Sequence, residues 1–385
     1  MEYRILGKTG LKISRMGFGG IPIQRTDAAA TTQLIRWLSD RGVNYIDTAR
    51  GYTVSEEYLG QALEGIRDKF VIATKSMART KEAMAADIDT SLKNLRTNYI
   101  DLYQIHNATP ADVEKVMAPG GALEALQEAK AAGKVGHIGI TAHSAETFKL
   151  ALELPWVETV MFPYNIVETQ GEELIRKCAE KNIGFIAMKP LAGGAIEDAT
   201  LALRFLCANE NVTVVIPGMA EIREAEQNLA AVENAAPLTE QECAAMEEIR
   251  KGLGTHFCRR CNYCAPCTAG ISIPGVFLTL KGFEVTLAEG SADGEFEITS
   301  ITPQVWNRRS NAIISFLDRI TVYGRIHKDD STVVEILDQF TLEQIMDFIG
   351  MASKHSCAKV TAALLAYKEA HFADYDPMDE FTLEL

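Results

Sequence analysis

Residues 70–106 read "FVIATKSMARTKEAMAADIDTSLKNLRTNYIDLYQIH". Two short apolar, β-branched runs, "FVIATK" and "YIDLYQIH", flank an amphipathic stretch at 81 to 95. Strand, helix and strand in that order make a crossover unit with parallel strands. The same alternation continues on both sides. Further strand-like runs are "RMGFGG" near 17, "VNYID" near 45, "HIGIT" near 139, "TVMFPYN" near 161, "GFIAMKP" near 186 and "VTVVIPG" near 214. Helical segments lie at 30 to 41, 122 to 132, 144 to 153, 171 to 181 and 198 to 209. Eight such units in about 250 residues fit a closed (β/α)8 TIM barrel better than an open, doubly wound sheet. The open sheet would carry a glycine-rich phosphate turn after its first strand, and "FGGIPI" is not that fingerprint.

A further helix is expected over 240 to 252, opened by a capping box from Thr239 to Glu242 and ended at Gly252. Beyond about residue 276 the pattern changes. "FEVTLAEGSADGEFEITSI" alternates apolar and polar on both sides of "SADG" and predicts a β-hairpin. From Gln304 onward the pattern turns helical, with a second capping box at Thr341 and Gln344. The expected organisation is a barrel over 1–253, a cysteine-rich segment over 254–276 and a small α+β tail over 277–385.

The 385 residues carry 38 Lys and Arg against 52 Asp and Glu, a net charge of -14 that disfavours nucleic-acid backbones and anionic membranes. No run of about 18 apolar residues is present, and "MEYRILGKTGLKIS" is too polar for a signal peptide. The expected location is the cytoplasm. In that reducing setting the dense run "CRRCNYCAPC" at 258–267 reads as a metal site and not as a disulfide framework. The isolated Cys178, Cys207, Cys243 and Cys357 read as small buried hydrophobes.

In a barrel the chemistry lies where strands end at their carboxyl side. Strand two ends at Asp47 and its loop carries Tyr52; strand three ends at Lys75; strand four ends at His106. An acid, a phenol, a cation and an imidazole at one rim suit proton donation to a carbonyl that receives hydride. A phenol of pKa about 10 is a weak acid near neutrality, and an adjacent ammonium is expected to lower it. Asp47 would hold Lys75 and keep it protonated, and His106 would orient the carbonyl oxygen.

The segments "RILGKTGLKISRMGFGG", "YIDTARGYTVSEEYLG", "VIATKS", "LYQIHN", "GITAHS", "MKPLAGG" and "VIPGMAEIREAEQNL" resemble the aldo-keto reductases over residues 1 to about 250. The resemblance implies that Asp47, Tyr52, Lys75 and His106 are the catalytic tetrad and that NADPH or NADH is the cofactor. It further implies cofactor contacts from Thr141, Lys189, Gly218, Arg223, Gln227 and Asn228. Two departures stand out. The serine-asparagine pair that many members use for the carboxamide reads Thr141 and Ala142, and Arg223 is the one cation of the loop after strand eight.

Cys258, Cys261 and Cys264 have the spacing that wraps three corners of a [4Fe-4S] cubane, with Cys267 as a candidate fourth ligand. Zinc is the alternative, although four-cysteine zinc sites set a longer spacer between two knuckles. The run also resembles a branch of the aldo-keto reductases with a ferredoxin-like segment, "CNYCAPC" followed by "GISIP". That branch has proline after the fourth cysteine and a second motif; here Thr268 follows and no second motif exists, so Cys357 is an alternative fourth ligand.

The expected function is NAD(P)H-dependent reduction of an aldehyde or ketone, with a structural or redox-sensing cluster and room for a one-electron redox partner. The rival readings are a nicotinamide-binding sensor or scaffold, and an iron-sulfur electron-transfer protein.

Overall fold

The computed structural model describes residues 1–253 and the strands at 283–288 and 297–303. Two compact units follow one another along the chain, Met1–His256 and Phe257–Leu385. The first unit opens with β1 (Tyr3–Ile5) and β2 (Lys12–Ser14), an antiparallel pair. Then come β3 (Phe18–Gly19), α1 (Ala28–Asp40), β4 (Tyr45–Asp47), α2 (Ser55–Ala62), β5 (Val71–Ser76), α3 (Lys81–Asn94) and β6 (Ile100–Ile105). Next are α4 (Pro110–Met117), α5 (Ala122–Ala131), β7 (Val135–Thr141), α6 (Ala145–Ala151), β8 (Thr159–Pro163), α7 (Glu172–Glu180) and β9 (Gly184–Met188). The unit ends with α8 (Ala199–Ala208), β10 (Val214–Val215), α9 (Ile222–Glu233) and α10 (Glu240–Leu253).

Strands β3 to β10 form one sheet of eight in sequential order, each pair parallel. The sheet rolls until its edges meet: Gly17 N–H donates to Val215 at 2.8 Å and Gly19 N–H to Pro217 at 2.9 Å. Parallel bridges pair Met16 with Val215 and Gly19 with Gly218. A side chain at Gly19 would put its Cβ 2.9 Å from the Pro217 oxygen, so this seam needs glycine for close backbone approach.

Alternation along each strand separates two cores. Tyr45, Ala73, Leu102, Met161, Ile186 and Val214 face the barrel interior, joined by Leu6 and Ile13 from the β1–β2 hairpin. Ile46, Ile72, Tyr103, Ile140, Val160 and Phe185 face outward onto the helices. The hairpin plugs the amino-terminal end of the barrel, where a Cβ at Gly184, the first residue of β9, would collide with Leu6.

The expected strands and helices form within one to three residues of their predicted ends, and the Thr239–Glu242 capping box is present. Helices α2 and α4, each of eight residues, and the β1–β2 hairpin were not expected. In the second unit β11 (Phe283–Ala288) and β12 (Glu297–Pro303) pair antiparallel, which is the hairpin predicted around "SADG". The cysteine run and the helical pattern after Gln304 lie outside the described residues.

Candidate active site

Asp47 is the last residue of β4, and its chain continues the parallel ladder outward: Thr48 N–H donates to Ala73 at 2.9 Å and Arg50 N–H to Lys75 at 3.0 Å. The loop then turns back. Tyr52 N–H donates to Ala49 at 3.0 Å and Ser55 N–H to Tyr52 at 2.8 Å. A hydroxyl pair, Thr48 with Ser55 at 2.8 Å, and Ser55 donating to Gly20 at 2.9 Å tie this loop to β3. The Tyr52 ring is thereby held over the mouth.

Lys75 and Asp47 are 1% and 3% exposed, and their ammonium and carboxylate are in direct contact. Burial opposes the charge on Lys75, but Asp47 and Tyr52 together more than offset it and the ammonium is held above its ordinary pKa. Its second partner is the Thr48 carbonyl at 2.8 Å. Burial pushes the Asp47 carboxyl up, against the pull of Lys75 and of a Gln104 amide that donates at 3.3 Å.

The ammonium lies 4.9 Å from the centre of the Tyr52 ring. Even so, the Tyr52 phenol is raised above its ordinary value: burial dominates, and Asp47 counters part of the help from Lys75. The expected depression of this pKa is therefore corrected: burial of the phenol outweighs the ammonium, and Asp47 offsets part of what Lys75 supplies. His106 meets Tyr52 edge to face with ring centroids 6.0 Å apart. Burial and the charges of Lys75 and Arg79 push His106 down to about 3, so the imidazole is neutral. Among the described residues its Nδ1 is buried without a hydrogen-bond partner.

The four predicted groups are thus brought together from the end of β4, the loop after it, β5 and the residue after β6. The predicted cofactor residues occupy the opposite arc of the rim. Thr141 ends β7, Lys189 follows β9, and Gly218 follows β10 against Gly19. Thr141 accepts from the Asn107 N–H at 2.7 Å. Arg223 and Gln227 sit on the exposed side of α9, and Asn228 is buried beneath it. The first turn of α9 is already occupied by Glu224, whose carboxylate accepts from Ala220 and Glu221 N–H groups at 2.7 and 3.3 Å.

Two side chains near the site were not anticipated. Gln104 lies two residues before His106, and the two-residue period of a strand puts both on the inner face. His143 pairs through Nδ1 with Asn107 at 2.8 Å and is pushed down to about 3 by burial and Lys189; its place two residues after Thr141 in "GITAHS" is the signal that could have found it. Cys178 is buried as expected and its thiol is raised to about 12, Cys207 is half-buried, but Cys243 is exposed on α10 and not a core residue. Among the described residues no group of three or more His, Cys, Asp or Glu is arranged to hold a metal ion. Cys258, Cys261, Cys264, Cys267 and Cys357 lie outside them.

The family model described as "Aldo/keto reductase family" matches residues 15–200 and 196–251. L-galactose dehydrogenase of Arabidopsis thaliana is 28% identical over 303 residues, covering 64% of this chain and 91% of that protein. Aldo-keto reductase YhdN of Bacillus subtilis is 32% identical over 202 residues, covering 47% of this chain and 59% of the relative. Among solved structures, aldo-keto reductase AKR11C1 from Bacillus halodurans, in its holo form, superposes with a TM-score of 0.56 at 27% identity, covering 65% of this chain and 96% of that one. The chain belongs to the aldo/keto reductase family, and it is an NAD(P)H-dependent oxidoreductase.

Proposed function

We propose that the protein reduces an aldehyde or ketone to an alcohol, with Tyr52 as the proton donor. The observation that carries this reading is the convergence of a neutral phenol, a neutral imidazole and a cation at one rim. A reduced nicotinamide, when bound, supplies the hydride. The donor set fits such a partner: proton-handling groups fill one arc of the mouth, and Thr141, Lys189, Gly218 and α9 offer a polar track along the other.

Within the chain, the neutral His106 donates a hydrogen bond to the carbonyl oxygen and fixes its lone pair toward Tyr52. Tyr52 O–H gives its proton as negative charge builds on that oxygen, and the resulting phenolate is stabilised by Lys75 until solvent reprotonates it. Asp47 holds the ammonium in place. NADPH is the preferred form on the strength of Arg223, although Glu221 and Glu224 beside it oppose a further phosphate. The test is oxidation of NADPH against a panel of aldehydes and ketones by wild type and Tyr52→Phe, with cofactor affinity measured separately. Wild-type turnover and a loss of roughly 10²-fold in Tyr52→Phe is the expected result.

The cysteine run of residues 254–276 is read as holding one [4Fe-4S] cluster through Cys258, Cys261, Cys264 and Cys267, ahead of a small module over 277–385. Support for this reading is the cysteine spacing alone. Hydride delivers two electrons together and a cubane accepts one, so a structural or sensing role, or exchange with an outside one-electron partner, fits better than direct relay from nicotinamide.

A further inference from the structure

On the outer face of β5, the two neighbours of Lys75 are each gripped by a carboxylate. Thr74 donates to Glu56 at 2.8 Å, and Ser76 donates to Asp87. One guanidinium lies between those carboxylates: Arg50 is hydrogen-bonded to Glu56 at 2.6 Å and faces Asp87 as a looser ion pair at 3.6 Å. Glu56 is 1% exposed on the first turn of α2 and also accepts from Ser91 of α3 at 2.7 Å. Arg50 is in turn bound to the strand by its own backbone, whose N–H donates to the Lys75 carbonyl at 3.0 Å. Two residues later the chain reaches Tyr52.

We propose that Arg50, clamped by Glu56 and Asp87, is a positioning residue that fixes the Tyr52 loop relative to the Lys75 strand. The inference rests on Tyr52 being the proton donor. The link is mechanical: the ammonium that will face the phenolate is anchored on β5, the phenol rides on a loop, and the ring of Thr74, Glu56, Arg50, Asp87 and Ser76 closes between them. Glu56 is a buried acceptor of hydroxyls from two elements as well as of Arg50, so the guanidinium meets a carboxylate that is itself immobile. A misplacement of about 1 Å in such a site costs on the order of 10²-fold in rate. No contact between Arg50 and substrate or cofactor is required.

The test is a double-mutant cycle of Arg50→Met with Tyr52→Phe, read as kcat for the best carbonyl of the panel and as NADPH affinity by fluorescence titration, corrected for folded fraction. Alone, Arg50→Met should lower kcat roughly 10- to 100-fold and leave NADPH affinity within about threefold. In the Tyr52→Phe background it should lower kcat less than about threefold, because the group it positions is gone. An equal loss in both backgrounds, or no loss in wild type, overturns the positioning role. Near wild-type turnover by Tyr52→Phe defeats the proton-donor reading instead. If Arg50→Met does not fold, Glu56→Gln takes its place, with its amide toward the Thr74 and Ser91 hydroxyls and its oxygen toward Arg50; it should show the same background dependence at smaller size.

Discussion

Lys75 and Asp47 touch inside the barrel mouth, and the same ammonium stands 4.9 Å from the Tyr52 ring. The phenol therefore faces an ion pair and not a bare cation. Burial pushes its pKa up and Asp47 blunts the opposing pull of Lys75, so the proton stays on Tyr52 through the neutral range until an alkoxide-like oxygen draws it off.

Lys75→Met should strand Asp47. Removing one partner of a buried pair leaves an uncompensated charge, at a cost of about 3–5 kcal/mol, whereas Lys75→Met with Asp47→Asn removes both charges and should regain much of that loss. Denaturant unfolding of the two variants measures the difference. A single variant as stable as wild type would show that the pair is not buried as described.

Turnover should be flat across the ordinary pH range. His106 is neutral above about 3, so it contributes no acid limb near its usual 6.5. With Tyr52 as the proposed acid of the reaction and its pKa raised, activity should be present below that pKa and be lost only as pH climbs past the ordinary phenol value of 10.0. The kcat profile of the wild type checks this. A limb titrating between about pH 6 and 7 would require a charged His106 and reject the neutral imidazole.

Glu158 should make part of the fold acid-labile. It accepts from His137 at 2.7 Å, from Lys130 at 2.6 Å and from the Ile138 N–H at 3.0 Å, where β7 approaches the start of β8. Burial works against the charge, yet these donors hold the carboxyl at about 2, below its ordinary 4.5. The folded value is the lower one, so the stabilisation is present above about 4.5 and is lost as pH falls toward 2. Thermal midpoints over that window should drop less steeply for Glu158→Gln than for wild type; parallel slopes would remove Glu158 from the account.

Much of this barrel was legible because its signals are local. Runs such as "VIATKS" and "YIDLYQIH" are buried on both faces, and helices of ten or more residues show their period. Helix α2 is too short for a period to show, and its one deeply buried carboxylate, Glu56, reads in sequence as a surface charge. Helix α4 carries a local start signal in the Thr109–Asp112 capping box and Pro110. The grouping of Asp47, Tyr52, Lys75 and His106 at one rim could be read from strand ends. The sign of the Tyr52 shift could not, since it depends on how Asp47 and burial divide the effect of Lys75.

The cysteine run yields the last prediction. Protein purified without oxygen should be brown and hold about four irons per chain with negligible zinc, and Cys261→Ser should lose the colour. Colourless protein with stoichiometric zinc would replace the cubane by a zinc knuckle. The same variant separates a clamp from a redox participant. The groups proposed for carbonyl reduction, Asp47, Tyr52, Lys75 and His106, all lie within the first unit, and hydride transfer to a carbonyl needs no one-electron carrier. If the cluster only orders its own segment, Cys261→Ser should bind NADPH as wild type does and reduce a simple aldehyde within about tenfold of the wild-type rate, a margin of roughly 1.4 kcal/mol of barrier. Its deficit should appear as faster proteolysis of residues 254–275, a stretch with few apolar side chains to hold it. A greater loss of turnover in the folded fraction would place the cluster in the path of catalysis.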